Sequence, residues 1–243
     1  GAMNGPTVNT FGVQNEFLVM DVNHDSIPDL ATTGVGYIQV RLGTGDGLFG
    51  SPINSAGGSY RLASGDLNSD GNPDIAFGGL AYGYATGTGN GAFVSQMQTS
   101  VPFQCTATAS DVNGDGRDDL IVAIFNSSYT ETYSGVIRTY LQGPGGMLGS
   151  PVTSPGLGRV AGAILTADLD GDGNTDLIQG VDGGSIVIRG LGDGRFRFED
   201  PTYGGMSTGW LTAVADLDLD GKLDQLFSGD GVIRYGTDRL DPA

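Results

Sequence analysis

The stretch "DLDGDGNTDL", residues 168–177, places four aspartates and two glycines within ten positions. Carboxylates this close together repel each other unless a cation lies among them. The order D-x-D-x-D-G-x-x-D puts an oxygen ligand at positions 1, 3, 5 and 9 of a nine-residue loop and a glycine at position 6. Hard oxygen ligands at alternate positions, with glycine at a sharp turn, are typical of a Ca²⁺ loop.

The same pattern occurs four more times along the 243 residues. "DVNHDSIPDL" begins at Asp21, "DLNSDGNPDI" at Asp66, "DVNGDGRDDL" at Asp111 and "DLDLDGKLDQ" at Asp216, so the five starts lie 45, 45, 57 and 48 residues apart. These loops use 18 of the 25 aspartates. Asp and Asn also favour ordinary turns, but five copies with aspartate at positions 1, 5 and 9 favour a repeat architecture with metal loops.

We expect each loop to bind one Ca²⁺ through side chains at positions 1, 3, 5 and 9 and the backbone carbonyl at position 7. The predicted ligands are Asp21, Asn23, Asp25, Ile27 and Asp29 in loop one (21–29); Asp66, Asn68, Asp70, Asn72 and Asp74 in loop two (66–74); Asp111, Asn113, Asp115, Arg117 and Asp119 in loop three (111–119); Asp168, Asp170, Asp172, Asn174 and Asp176 in loop four (168–176); and Asp216, Asp218, Asp220, Lys222 and Asp224 in loop five (216–224).

The loops differ in ways that predict different metal affinities. Ser26 replaces the glycine in loop one, so we expect this site to be the weakest or empty. Asp170 and Asp218 give loops four and five a fourth carboxylate, so stronger sites are expected there. An EF-hand is excluded because position 12 carries no acidic ligand in any copy; the residues there are Thr32, Phe77, Val122, Gln179 and Phe227.

Short apolar runs stand on both sides of each loop, as "EFLVM" and "LAT" do around loop one, and a strand-like run and a glycine-rich turn such as "GTGDGLF" follow. Four short strands per repeat, without the apolar period of an amphipathic helix, predict an all-β fold: a β-propeller of five four-stranded blades. We expect a single domain over 4–243, with "GAM" at 1–3 as a cloning scar on a piece of a longer parent chain.

The chain ends bear on how the ring closes. The last repeat stops before its outer strand, whereas "PTVNTFGV" (6–13) exceeds what the first blade needs. We therefore expect this N-terminal strand to complete the last blade and close the ring. A ring that needs blades beyond this chain is the alternative.

The motif D-x-[DN]-x-D-G-x-x-D-[LI] between two short strands, with a later G-x-G-x-G-x-F turn, resembles the FG-GAP/VCBS repeats of integrin-α-like calcium-binding β-propellers. The resemblance covers essentially the whole chain after residue 3. It implies that each loop joins the first and second strands of a blade and binds Ca²⁺. The name-giving Phe-Gly…Gly-Ala-Pro segment is not intact, and "AFGGLAYG" (76–83) is its nearest counterpart.

Composition limits the choice of partners. The 28 acidic and 11 basic residues give a formal charge of −17, which argues against a nucleic-acid partner. No apolar run reaches the length of a membrane span, and the lone Cys105 excludes an internal disulfide. Five Ca²⁺ ions would reduce the charge from −17 to −7. Dependence on calcium favours a secreted protein at an extracellular or cell-surface location.

A ligand is expected on the face opposite the metal loops, at the entry to each first strand and the connection from second to third strand. One ring position there, six residues before each loop, varies: Asn15, Tyr60, Cys105, Gly162 and Trp210. The candidate ligand-binding residues are Tyr60, Tyr82, Tyr84, Tyr129, Glu131, Tyr133 and Trp210. Aromatic side chains beside small polar residues stack on sugars or anchor protein partners, although tyrosines that pack between blades are the alternative.

These features predict a calcium-stabilised recognition module, adhesin- or lectin-like, for glycan or protein ligands on a cell surface, with no catalytic residue. One alternative is a glycoside hydrolase or lyase, which needs two carboxylates across a sugar. The acids outside the loops show no pairing motif, although Glu16 with Asp230 or Glu131 is conceivable. The other alternative is a scaffold or spacer domain of a large surface or toxin protein.

Overall fold

The computed structural model describes residues 16–102, 104–125, 135–156, 164–181, 184–198, 211–217, 219, 224–227 and 233–234. Regular structure in these residues consists of strands, and no helix occurs among them. Accordingly, the described part of the chain offers no helix of the length and apolarity that crossing a membrane requires. The strands form four four-stranded sheets, one three-stranded sheet and one two-stranded ladder. This confirms the all-β prediction and its four-stranded unit.

The first two sheets follow the chain order. Sheet one contains β1 (Phe17–Met20), β2 (Asp29–Gly34), β3 (Tyr37–Arg41) and β4 (Ile53–Ala56). Sheet two contains β5 (Arg61–Gly65), β6 (Asp74–Gly78), β7 (Ala81–Gly87) and β8 (Phe93–Ser100). Neighbouring strands in both sheets pair antiparallel.

The remaining sheets repeat this plan with one addition. Sheet three contains β9 (Cys105–Ser110), β10 (Asp119–Ile124), β11 (Gly135–Tyr140) and β14 (Val152–Gly156), with β12 (Gln142–Gly143) and β13 (Met147–Leu148) as a short ladder before β14. Sheet four contains β15 (Ile164–Ala167), β16 (Asp176–Val181), β17 (Gly184–Gly190) and β18 (Phe196–Phe198). Sheet five contains β19 (Leu211–Ala215), β20 (Asp224–Phe227) and β21 (Ile233–Arg234).

The second strand of each blade-like sheet explains why the sheets stack. In β6, Ile75 and Phe77 pack into the core between sheets one and two, whereas Ala76 packs into the core between sheets two and three. In β10, Leu120 faces sheet two and Ile121 faces sheet four. Successive side chains of a strand point to opposite faces, so these strands are apolar throughout because both of their faces are buried.

Contacts between sheets follow the same order. Among the first strands, β1 contacts β5, β5 contacts β9, and β9 contacts β15. The fourth strands also meet, β4 with β8 and β14 with β18. First strands on one side and fourth strands on the other give a propeller-like succession of sheets. Residues 1–15 and 235–243, on which the predicted ring closure depends, lie outside the described residues.

Candidate metal loops and the opposite face

Each predicted loop joins the first and second strands of its sheet, as expected. Loops one to four are described in full, and their backbone wraps around the carboxylate at position 1. In loop four, Asp168 accepts hydrogen bonds from the N–H groups of Gly171 at 2.8 Å and Gly173 at 3.0 Å. The contact from position 6 to position 1 recurs in the other three loops, from Ser26 at 2.8 Å, Gly71 at 3.0 Å and Gly116 at 2.8 Å.

Positions 3, 5 and 7 share a second set of contacts. The carboxylate at position 5 accepts the N–H of position 7 in all four loops, from Ile27 at 2.8 Å, Asn72 at 2.7 Å, Arg117 at 3.0 Å and Asn174 at 2.7 Å. The amide of the position-3 asparagine donates to the same carboxylate in the first three loops, over 2.9, 2.9 and 3.1 Å. In these three loops, the side chains of positions 3 and 5 are therefore in direct contact with each other.

The aspartate at position 9 is the first residue of the second strand and is buried in all five copies; these residues are Asp29, Asp74, Asp119, Asp176 and Asp224. Its Oδ2 accepts the N–H of position 2, over 2.9, 2.8, 3.2, 3.2 and 2.8 Å in chain order. In the first four copies its Oδ1 accepts, at 2.8 Å, the N–H of the residue that follows or ends the third strand: Gly43, Gly87, Gln142 and Gly190. In these four copies, the aspartate therefore joins three segments of its sheet.

Burial and like charge act together on this position. The pKa of Asp74 is raised to about 7, chiefly by burial. Two backbone N–H donors lower this pKa, and the nearby carboxylates of Asp70 and Asp66 raise it. The pKa of Asp119 rises to about 6 for the same reasons, with Asp115 and Asp111 as neighbours. A buried carboxyl among other acids is neutralised by a proton or by a cation, and this all-oxygen donor set suits a hard cation such as Ca²⁺.

Loop four gathers its acids most closely. One oxygen each of Asp168, Asp170 and Asp176 lies within 4.8 Å of the others, a grouping that could hold a metal ion. Arg189 of β17 also reaches this group, with its Nη1 2.7 Å from Asp176 Oδ2 and 3.2 Å from Asp170 Oδ2. In loop five, the predicted ligands Asp218, Asp220 and Lys222 lie outside the described residues.

Loop one closes in the same way as its sisters despite Ser26. Positions 4 and 6 both have left-handed backbones, with φ of 60° at His24 and 65° at Ser26, compared with 73° at Gly114 and 81° at Gly116. Non-glycine residues are strained in this region. The serine therefore changes the conformational energy of the loop while the contact with Asp21 is kept, and a weaker first site stays a prediction.

Side chains that sequence reasoning did not identify connect neighbouring loops. Asp118 Oδ2 accepts the Asp66 N–H at 2.8 Å, and Thr175 donates its hydroxyl to the Asp111 carbonyl at 2.8 Å. The buried Gln142 donates its amide to the carbonyls of Asp66 at 2.8 Å and Asp118 at 3.0 Å. Loops two, three and four therefore lie side by side. The only sequence signal was that Gln142 stands where the other repeats have glycine.

On the opposite side, the structure changes the list of candidate ligand residues. Tyr60 precedes β5 and is 36% exposed. The predicted loop placement of Tyr82 and Tyr84 is wrong, because both lie within β7. Tyr82 is 1% exposed, and its hydroxyl lies 2.8 Å from that of Tyr140 and accepts a hydrogen bond from Arg138 at 2.8 Å. Tyr82 therefore packs between sheets two and three.

Other residues of this face fall into two groups. Cys105, expected at a variable surface position, is buried and exchanges hydrogen bonds with the backbone of Gly79 at 3.3 Å. Val35 and Leu80, in the turns between second and third strands, are exposed by 66% and 53% and had not been identified. The candidates Tyr129, Glu131, Tyr133 and Trp210 lie outside the described residues.

The loops, their strands and their spacing can be compared with known proteins. A family model described as an FG-GAP-like repeat matches residues 21–77, 111–179 and 168–227, which together exceed half of the chain. The chain belongs to the FG-GAP-like repeat family. The matched segments contain all five loops of this FG-GAP-like repeat protein, although residues 78–110 lie between matches. No curated protein matches its sequence.

Two solved structures resemble this FG-GAP-like repeat protein. One is a lectin of Agrocybe aegerita, described for specific recognition of non-reducing terminal N-acetylglucosamine, with TM-score 0.59, 21% identity, and coverage of 94% of this chain and 65% of the lectin. The other is the Tc holotoxin pore of Photorhabdus luminescens, with TM-score 0.50, 21% identity, and coverage of 95% of this chain and 12% of that one. The chain thus spans less than two thirds of either, and these similarities show the fold alone.

Proposed function

We propose that this FG-GAP-like repeat chain is a calcium-stabilised, non-enzymatic recognition module that acts outside the cell. In this proposal, five blades form a ring that the N-terminal segment closes, and each loop takes up a Ca²⁺ ion. The module binds a glycan or protein ligand on a cell surface through the face opposite the loops.

The observation that carries the calcium proposal is the shared geometry of four successive loops. In each, backbone N–H groups hold the carboxylates of positions 1, 5 and 9 in one arrangement. Such pre-organisation lowers the conformational cost of binding an ion. The raised pKa values of Asp74 and Asp119 support a cation there as well, since ionised carboxyls need a counter-charge.

Thermal unfolding with calcium and with a chelator tests this part. A site that is saturated a hundredfold above its dissociation constant adds about 2.7 kcal/mol of stability, and each kcal/mol moves the melting temperature of a domain this size by roughly 2–4 °C. We expect calcium to raise the melting temperature by ten degrees or more and magnesium to raise it less. Identical melting curves in calcium and in chelator would refute calcium stabilisation.

The ligand proposal depends on the face around Tyr60, Val35 and Leu80. Tyr60 is 36% exposed, and Val35 and Leu80, each in a turn between second and third strands, are exposed by 66% and 53%. Exposed aromatic and apolar side chains suit a sugar ring or an apolar protein side chain. Among solved structures with this fold, the Agrocybe aegerita protein is a lectin for terminal N-acetylglucosamine, which supports a glycan as the first ligand to test.

A glycan array probed with and without calcium tests recognition directly. We expect binding without product formation, reduced at least tenfold by Tyr60→Ala and left unchanged by Val94→Ala, which truncates an exposed apolar residue on the outer strand β8. Product release from any polysaccharide would instead support the alternative of a glycoside hydrolase or lyase. The described acids favour binding, because the Glu16 carboxylate, half-buried, accepts the Leu62 N–H at 2.7 Å and so links β1 to β5.

A scaffold or spacer domain is the second candidate function. One observation favours it: this chain covers only 12% of the Tc holotoxin chain that it resembles, so the same fold is a small part of a much larger protein there. A scaffold would show calcium-dependent stability without any reproducible glycan or protein ligand. The two experiments above therefore separate it from a recognition module.

A further inference from the structure

In loop four, an arginine from the third strand of the sheet contacts two acids of the candidate metal group. The guanidinium of Arg189 bridges two of the three clustered acids, the buried Asp176 at 2.7 Å and the more exposed Asp170 at 3.2 Å. The Arg189 side chain is itself only 12% exposed. A charge-assisted contact to two carboxylates in a largely buried position is stronger than a surface ion pair.

Among the four copies whose third strand is described up to this position, the arginine occurs in the fourth alone. In the four described copies, the N–H that binds Oδ1 of the position-9 aspartate belongs to the residue just after the one that faces that aspartate in the register of the second and third strands. When each strand register is continued by one residue pair, the facing residues in these copies are Leu42, Thr86, Leu141 and Arg189. Only the fourth sheet places a charged side chain beside its buried aspartate among these four.

Loop three also contains an arginine, but in a different place. Arg117, at position 7, pairs with Asp115, and both side chains are more than a quarter exposed. Its Nε donates to the Gln142 carbonyl at 3.0 Å. Arg117 therefore contacts one acid at the rim of its loop, whereas Arg189 lies between two acids of the candidate metal group.

We infer that Arg189 is the resident cation of loop four and competes with a divalent metal ion for Asp170 and Asp176. Without metal, the guanidinium balances the charge of these acids and keeps the loop closed. A metal ion that uses all three clustered acids must displace it. Loop four, expected from its four carboxylates to be a strong site, then ranks below loops two and three in affinity and depends least on calcium for its folding.

The test replaces Arg189 by the residue that two sister sheets carry. Arg189→Leu reproduces Leu42 and Leu141, so an apolar side chain has a precedent at this position. The matched control is Arg195→Leu in the same sheet, which removes an arginine that is 61% exposed and pairs with Asp193 outside the loop. Both variants change the net charge equally, so differences between them report on the position of the charge.

Two measurements are made on both variants and on the unmodified chain. In chelator, Arg189→Leu is expected to lower the melting temperature by several degrees more than Arg195→Leu does. In calorimetric titrations with calcium, Arg189→Leu is expected to raise the calcium affinity of one site at least tenfold. Adding Asp168→Asn to Arg189→Leu should abolish that gain, because it removes a ligand of loop four.

The outcomes distinguish this inference from the calcium proposal. Only the predicted competition between Arg189 and a metal ion rests on that proposal. Equal melting temperatures in chelator and equal calcium affinities for the two arginine variants would overturn it. If no variant binds calcium, the proposed function fails. A selective loss of stability in Arg189→Leu would then still support the arginine as the cation of loop four.

Discussion

At the scale of single residues, the aspartate at position 9 has two roles. Spacing alone predicted it as a metal ligand, and the structure shows that its two oxygens also hold the start of the loop and the end of the third strand. Its burial and its backbone partners occur in successive copies. A metal at such a site would bind a carboxylate whose position the sheet has already set.

Gln142 is a neutral residue on which a clear stability test can be made. It is 1% exposed and bonds two carbonyls of neighbouring loops. Its Oε1 also accepts a hydrogen bond from the Ser69 hydroxyl. Gln142→Ala removes all three contacts, and a buried polar group left unsatisfied costs about 1–3 kcal/mol. Chemical denaturation should show this loss. Gln96→Ala, which removes an exposed amide bonded to Thr86, should change stability by less than about 0.5 kcal/mol.

Ser26 allows the opposite kind of test. Its φ of 65° lies in the region that glycine occupies in the sister loops, so Ser26→Gly relieves strain of about 1–2 kcal/mol, partly offset by the greater entropy of glycine in the unfolded chain. We expect a gain of up to about 1 kcal/mol in chelator, measured by denaturation. The reverse change in loop three, Gly116→Ser, should destabilise by a similar amount. A loss from Ser26→Gly would show that the serine side chain makes a compensating contact.

The repeated spacing predicted which residues form the loops because ligands of one loop are close in sequence. It did not predict the partners of Arg189 or Gln142, because those depend on strand register and on which sheet lies next. Tyr82 illustrates the same limit. A glycine-rich stretch suggested a loop. However, β7 begins at Ala81, so the tyrosine lies in the strand and its side chain is buried in the core.

At the scale of elements, the glycine-rich turn after the third strand packs against the preceding sheet. A Cβ on Gly91 would lie 2.9 Å from Ile53 Cδ1, and one on Gly194 would lie 2.9 Å from Leu141 Cδ2, each in the preceding sheet. The phenylalanine two residues later donates its N–H to a serine of that sheet, Phe93 to Ser55 and Phe196 to Ser154, both at 2.9 Å. The motif therefore sets how one sheet docks on the previous one.

This role predicts unequal effects for equivalent glycines. Gly91 and Gly47 have φ of 90° and 85°, so alanine is strained at both, but within the described part of the chain a Cβ at Gly47 meets no atom within 4 Å. Gly91→Ala should therefore cost more than Gly47→Ala by about 1–3 kcal/mol, the usual penalty of overpacking. Denaturation curves of the two variants give the difference. Equal losses would mean that backbone strain, and not docking, explains the motif.

At the scale of the whole molecule, the acidic charge has a structural explanation. The formal charge of −17 is concentrated in loops that lie side by side, joined by contacts such as Asp118 with Asp66 and Thr175 with Asp111. Repulsion therefore accumulates along one face when no cation is bound. The all-β fold and the four-stranded unit could be predicted from the repeat, whereas five blades and a closing strand stay predictions because they depend on residues beyond those described.

The pH dependence of stability should reveal the cost of burying these acids, to which their mutual repulsion adds. In the metal-free fold the pKa values of Asp74 and Asp119 lie at about 7 and about 6, above the ordinary value of about 3.9 for an unfolded aspartate. The folded protein therefore binds these protons more tightly than the unfolded chain does. Their contribution to stability is full below about pH 4 and is lost as the pH rises through about 6 to 7.

We therefore expect the melting temperature in chelator to rise as the pH is lowered from about 8 to about 5. In calcium the trend should weaken or reverse, because a proton and a metal ion compete for the same carboxylate oxygens. Acids whose pKa is lowered by backbone N–H donors despite their desolvation, such as Asp111, lose stabilising charge only at more acidic pH. A melting temperature in chelator that falls over this interval would show that these aspartates are ionised at little cost, and that the loops need no cation to relieve them.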